Sequence, residues 1–305
     1  MKNVQWDARS SREELLRKAQ ILAKIRHYFH DLDILEVQTP ELYEFPVTDP
    51  YLDCFEVETQ AGKRYLQTSP EYAMKRMLTH GSGSIYQICK AFRDDPIGQY
   101  HSYEFTMLEW YRVGLDDHQL MAEMLQLFQM LSPTIAHQKV SYQSLFEEHL
   151  SCNPHVASDF LLVQLLEKKV GKIPGLENPG RSDCLNLLFT HIIEPELAKQ
   201  ELVFIYGYPA SEAALARIIP NKEGIEVARR FEVYLNGIEL ANGYYELNDV
   251  RIQEERFQKD LAVRRNEGKQ QVSIDTKLLS AIEKGMPECA GVALGIDRLF
   301  LGLIS

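Results

Sequence analysis

Phe231-Glu-Val-Tyr-Leu-Asn-Gly-Ile-Glu-Leu-Ala-Asn-Gly-Tyr-Tyr-Glu246 carries three glutamates, seven residues apart, around an Asn-Gly pair. Asn236-Gly237 predicts a two-residue hairpin turn, because both residue types tolerate the positive φ that its central positions need. That turn sets Leu235 opposite Ile238, Tyr234 opposite Glu239 and Val233 opposite Leu240. Period-two alternation puts Val233, Leu235, Ile238 and Leu240 on one face, suited to a core. Glu232 and Glu239 then share the other face as diagonal neighbours on adjacent strands. Two carboxylates so placed either face water as an exposed hairpin or hold a hard cation such as Mg²⁺, carried in with a phosphate substrate.

Working outward, Ser11 with Glu14 forms a capping box for a helix from Arg12 to Asp31, along a stripe of Leu15, Ala19, Leu22, Ile25 and Phe29. Ile34–Pro40 reads as a short strand that its proline ends. Phe55–Glu58 and Lys63–Gln67 are strands joined at Ala61-Gly62, and Pro70 opens a helix running from Glu71 to about Leu78. Ser84–Arg93 and Glu104–Arg112 are strands on either side of a polar loop, Asp94–His101. Asp117–Leu131 is helical. Ser132 to about Pro195 reads as a mostly helical insertion rather than part of the central sheet. Leu202–Tyr206 is a buried strand, Asp249–Asn266 and Asp275–Lys284 are helices, and Cys289–Leu303 reads as a strand entering a helix. Antiparallel pairs with helices outside them predict an α+β fold over one catalytic domain, residues 1–305.

The chain has 305 residues, 45% of them apolar and 25% charged, which is ordinary for a globular protein with a proper core. No apolar run is long enough to span a bilayer, and Met1–Ser10 has no signal-like apolar region, so a cytoplasmic protein free of membranes is expected. Five scattered cysteines without CxxC spacing fit a reducing compartment. The net charge of −11 argues against a broad nucleic-acid-binding footprint.

Neither a Walker A loop nor GxGxxG is present, so a nucleotide needs another device. Arg93, at a strand end, and Arg298, after Gly295-Ile-Asp, are the candidate clamp for a triphosphate, with His101 in the loop between strands. Phe105 is a candidate platform for a flat base, with Arg298 over its other face. Singly, each has a duller reading: Phe105 as core, Arg298 as a partner of residues near Asp297.

Taken together, these stretches resemble the class II aminoacyl-tRNA synthetases. The first motif of that family matches Phe29–Pro40 and implies a homodimer interface. The second matches Phe92-Arg-Asp-Asp95 and His101-Ser-Tyr-Glu-Phe-Thr-Met-Leu-Glu109, and the third Gly291-Val-Ala-Leu-Gly-Ile-Asp-Arg298. Within the class the likeness is closest to lysyl-tRNA synthetase, through Tyr103–Tyr111 and Asn236–Asp249. The resemblance implies that Arg93 and Arg298 hold the α- and γ-phosphates of ATP, with His101 near the phosphate tail and Asp95 in the loop contact. It further implies Phe105 on the adenine and Glu232 and Glu239 on Mg²⁺. Glu109, Tyr111 and Glu246 would line an amino-acid pocket, and Glu71 and Asn242 would seat the amino group and carboxylate.

The departures sharpen the reading. The first motif begins near Ile21, leaving no room in this sequence for an anticodon-binding domain ahead of it. Ala293 stands where lysyl-tRNA synthetases carry glycine, and its methyl group disfavours α-lysine by about 1–3 kcal/mol. Ser69 replaces the family's usual alanine, and Asp95 shortens its glutamate. A truncated lysyl-tRNA synthetase with this alanine is similar to the paralogues that activate (R)-β-lysine with ATP. Those enzymes transfer it to a lysine of elongation factor P, without tRNA. A tRNA or small-molecule acceptor, or a non-catalytic synthetase-like module, are the alternatives. All four of Arg93, Arg298, Glu232 and Glu239 are retained, against the last of these.

Overall fold

The computed structural model describes residues 11–96, 98, 100–176 and 178–304. The expectation drawn at Met1–Ser10 and the loop positions Ile97 and Gln99 lie outside them. The chain forms two compact units, residues 1–116 with 247–305 and residues 117–246.

In the first unit, α1 (Arg12–Asp31) starts at the capping box, with Ser11 Oγ accepting from Glu14 N and Glu14 Oε2 from Ser11 N. Ile21, Ile25 and Phe29 are its buried face, and Phe29 stacks on Tyr86 at 4.4 Å. Leu15 (53% exposed) and Ala19 do not belong to that face, a correction to the expected stripe. The strand expected over Ile34–Pro40 shrinks to β1 (Leu35–Glu36), with one further ladder bond from Val37 N to Tyr86 carbonyl at 2.9 Å. Next come β2 (Leu42–Tyr43), β3 (Glu56–Thr59) and β4 (Gly62–Leu66), a small sheet in the order β2-β4-β3. After α2 (Glu71–Thr79), β5 (Ile85–Phe92) and β6 (Glu104–Val113) pair antiparallel, while β1 lies parallel to β5.

The second unit begins with α3 (Asp117–Leu131). Then β7 (His137–Ser141) runs parallel to β8 (Leu202–Pro209), so one stretch of the region expected to be helical insertion is a sheet strand. Its sequence, His-Gln-Lys-Val-Ser, has too few apolar residues to announce it. Between them lie α4 (Tyr142–Leu150), α5 (Asp159–Lys169), α6 (Arg181–Leu188), a π-helical turn (Phe189–Ile193) and α7 (Glu194–Leu197). Phe146, Leu162, Leu185, Leu188 and Ile193 from these helices pack on Val203 and Ile205 of β8 in one core. The short β9 (Ile218–Pro220) and β8 both pair with β10 (Glu226–Leu235), which turns at Asn236-Gly237 into β11 (Ile238–Tyr245). Asn236 and Gly237 have φ of +51° and +77°, as a two-residue hairpin requires. A side chain at Gly237 would sit 2.7 Å from Ala198 Cβ, so this glycine also permits close backbone approach.

Returning to the first unit, α8 (Val250–Asn266) and α9 (Thr276–Glu283) lead to β12 (Cys289–Gly295), antiparallel to β6, and to α10 (Ile296–Ile304). Arg264, 2% exposed, donates to the carbonyls of Asp49, Leu52 and Gln270, tying α8 to the segment before β3. The units are α+β, strands flanked by helices, as the sequence predicts. Among the described residues no helix is long and apolar enough to cross a membrane.

Candidate active site

The first unit gathers four of the predicted residues, Ser69, Glu71, Tyr111 and Ala293, around Glu109. Glu109 is 2% exposed on β6; its Oε1 accepts from Tyr111 hydroxyl at 2.7 Å and its Oε2 from Ser69 hydroxyl at 2.9 Å. Ser69 Oγ also accepts from Glu71 N at 3.0 Å, holding the entrance of α2 against the same carboxylate. Ala293 lies directly opposite Glu109 in the β12–β6 register, and Gly291 opposite Tyr111. The methyl group of Ala293 therefore belongs to the strand that flanks this carboxylate. Lys75 is fully buried, with its ammonium 2.6 Å from Glu71 Oε1, so Glu71 meets any incoming amino group already neutralised. A pair one helical turn apart is visible in sequence, but its burial is not.

The candidate nucleotide residues meet at the other end of β6. The Arg93 guanidinium lies 5.2 Å from the centroid of the Phe105 ring. Arg298 Nη2 lies 3.2 Å from His101 Nε2, and its Nε contacts Tyr100 carbonyl at 3.4 Å. Asp297 accepts from Thr106 N at 2.7 Å and so fixes the first turn of α10 against β6. Partial burial, then the Arg298 guanidinium, push His101 below its ordinary pKa, with Asp95 opposing.

In the second unit, Glu232 is 7% exposed, with Oε1 bonded to Arg230 Nη2 at 2.5 Å and Oε2 to Tyr234 hydroxyl at 2.9 Å. Tyr234 is paired with Glu239, as predicted, but a bulge then sets Val233 opposite Ala241 instead of Leu240, and Glu232 opposite Asn242. The bulge corrects the register and leaves Glu232, Tyr234 and Glu239 lining one open cavity of about 210 Å³. Asn242 Oδ1 is buried without a hydrogen-bond partner among the described residues. Glu246 is 1% exposed at the end of the hairpin.

Arg230 escaped the sequence reading, although strand alternation puts it on the same face as Glu232. Its guanidinium also donates to Glu212 carbonyl and lies 4.7 Å from the Tyr208 ring centroid. The donor set suits Mg²⁺. Glu232 accepts from Arg230 through one oxygen and from Tyr234 through the other, and Glu239 offers hard oxygens to the same cavity. Among the described residues no three His, Cys, Asp or Glu side chains converge at metal-ligand spacing. An ion there would be completed by substrate oxygens and water.

Residues 2–305 match the family model described as tRNA synthetases class II (D, K and N), and the chain belongs to that family. Its relatives include the elongation factor P--(R)-beta-lysine ligases of Salmonella arizonae and Erwinia tasmaniensis, each 44% identical over 303 residues, or 97% of this chain and 92% of the relative. The ligase of the same name from Histophilus somni is 42% identical over 98% of this chain and 93% of its own.

Proposed function

We propose that this chain is an ATP-dependent ligase that activates (R)-β-lysine as an adenylate and transfers it to a lysine ε-amine of elongation factor P. The carrying observation is 42–44% identity, over 97–98% of the chain, to ligases that bear the name of that reaction. In the first step a carboxylate oxygen of β-lysine attacks the α-phosphorus of ATP in line and pyrophosphate leaves. Arg93 and Arg298 neutralise the phosphates, His101 contacts their tail, Asp95 braces the loop and Phe105 offers a ring face to the adenine. Mg²⁺, held by Glu232 and Glu239, would neutralise further phosphate charge. Glu109, fixed by Tyr111 and Ser69, lines the amino-acid pocket with Ala293. Asn242 brings an acceptor oxygen that has no bond to lose among the described residues. Glu71 with Asn242 seats the substrate amine and carboxylate, and Glu246 faces the distal ammonium.

In the second step the neutral amine of the acceptor attacks the mixed anhydride, an amide forms and AMP leaves. The amine loses a proton on the way, which the phosphate of AMP is chemically able to take. A homodimer through the first-motif segment belongs to this reading: Leu35 is 58% exposed on it, and Leu15 and Leu16, 53 and 49% exposed, lie on α1 ahead of it. Five free cysteines fit a reducing cytoplasm, and the net charge of −11 disfavours tRNA as the acceptor.

The test is an intact-mass assay with ATP, α-lysine or (R)-β-lysine, and either elongation factor P or tRNA. A β-lysyl mass gain on the factor is expected; efficient α-lysyl transfer to tRNA would overturn the assignment. In the same assay Ala293→Gly raises the kcat/KM of α-lysine relative to β-lysine by about ten-fold or more. An unchanged ratio removes Ala293 from the selectivity.

A further inference from the structure

Glu71 and Lys75 stand one helical turn apart on α2, with the acid on the N-terminal side, the order that suits such a pair. What surrounds the two side chains differs. Lys75 is sealed, its side chain 1% exposed, whereas that of Glu71 is 20% exposed. Desolvation of a buried ammonium offsets most of the attraction of its partner, and a well-packed apolar pair in the same space is often as stable. Stability alone therefore does not account for a lysine at this position.

Glu71 is held at both of its ends. Its backbone N–H donates to Ser69 Oγ at 3.0 Å, and the Ser69 hydroxyl donates in turn to Glu109 Oε2 at 2.9 Å. Its side chain is held by Lys75 Nζ, which donates to Oε1 at 2.6 Å. Glu71 Oε2 has no hydrogen-bond partner among the described residues. The carboxylate thus has one oxygen occupied and one open, and its main chain is tied through Ser69 to the carboxylate of Glu109. A glutamate fixed beforehand loses little rotamer freedom when it meets an amine, which a loose one would have to give up.

We propose that Lys75 is a positioning residue for substrate selection: it fixes Glu71 so that Oε2 receives the amino group on the β carbon. It thereby sets the preference for a diamino acid over the same acid without that amine. Lys75 acts through Glu71 and not by touching substrate. Because the ammonium of Lys75 balances the carboxylate, Glu71 gives the substrate an aimed acceptor more than a net charge. The proposal rests on the reading of Glu71 as the seat of that amino group.

The test is β-lysine-dependent ATP–pyrophosphate exchange by the full chain, with 6-aminohexanoate as competitive inhibitor. That compound keeps the carboxylate and the distal amine of β-lysine and lacks the β-amine. Lys75→Met is expected to raise the KM of β-lysine about ten-fold or more, the effect of losing a charged hydrogen bond. The KM of ATP and the Ki of 6-aminohexanoate stay nearly unchanged, which a general disturbance of the fold would not allow. Lys75→Gln, which keeps an N–H donor for Oε1, shows a smaller rise. Added to Glu71→Gln, Lys75→Met brings no further loss, since both act on one carboxylate. Thermal melting checks that each variant is folded, and Lys75→Gln carries the same comparison if Lys75→Met is not. An unchanged KM of β-lysine in Lys75→Met, or an equal rise in the Ki of 6-aminohexanoate, overturns the proposal; a raised KM in Glu71→Gln then leaves the reading of Glu71 standing. An unchanged KM in Glu71→Gln overturns that reading, and the proposal with it.

Discussion

Arg298→Ala lowers β-lysine-dependent ATP–pyrophosphate exchange by about 10²–10³-fold, with little change in melting temperature. Losing one pre-aimed donor to developing charge has that typical size. The aim comes from α10: β12 runs straight into it, Asp297 is pinned by Thr106 N, and the next side chain contacts His101 and Tyr100. Arg298 is only half-buried, so its replacement spares the fold. Arg298→Lys recovers only part of the rate, since an ammonium retains the charge but not the planar fork. A loss below ten-fold in the alanine variant removes Arg298 from the transition state.

Arg229→Ala destabilises the protein by about 3–5 kcal/mol, the cost of stranding a buried charge. Asp117 is 1% exposed at the start of α3, and Arg229 on β10 donates to it through Nε at 2.8 and 3.1 Å and through Nη2. Arg229 also lies 5.6 Å from the Tyr245 ring centroid. The pair thus locks the first helix of the second unit to its hairpin. Urea denaturation measures the effect. Replacing both partners together, with Arg229→Met and Asp117→Leu, recovers most of the loss because no charge is left unpaired. A shift under 1 kcal/mol for Arg229→Ala shows that water reaches Asp117 after all.

What the sequence made legible was local. Ser11 with Glu14 and Asn236-Gly237 each act within four residues, so the cap and the turn can be read directly. Glu109, Tyr111 and Ala293 were legible through family motifs, and their convergence follows from a regular ladder. The bulge after Val233 was not, because alternation assumes an unbroken register and nothing in Leu240-Ala241 announces the extra residue. Lys75 and Arg230 were missed for a shared reason. Lys75 is fully and Arg230 partly buried by tertiary surroundings, and only the partner's position explains why that is tolerated.

The pairing of β6 with β12 sets a schedule for biosynthesis. β6 ends at Val113, whereas β12 begins at Cys289, with the whole second unit translated between them. At ordinary elongation rates that interval is on the order of ten to thirty seconds. Throughout it, one edge of an apolar strand with Met107, Leu108, Trp110 and Tyr111 awaits its neighbour, a template for stray pairing on a crowded ribosome. The strand that carries Glu109 therefore keeps an open edge until β12, the strand that delivers Ala293, has been made.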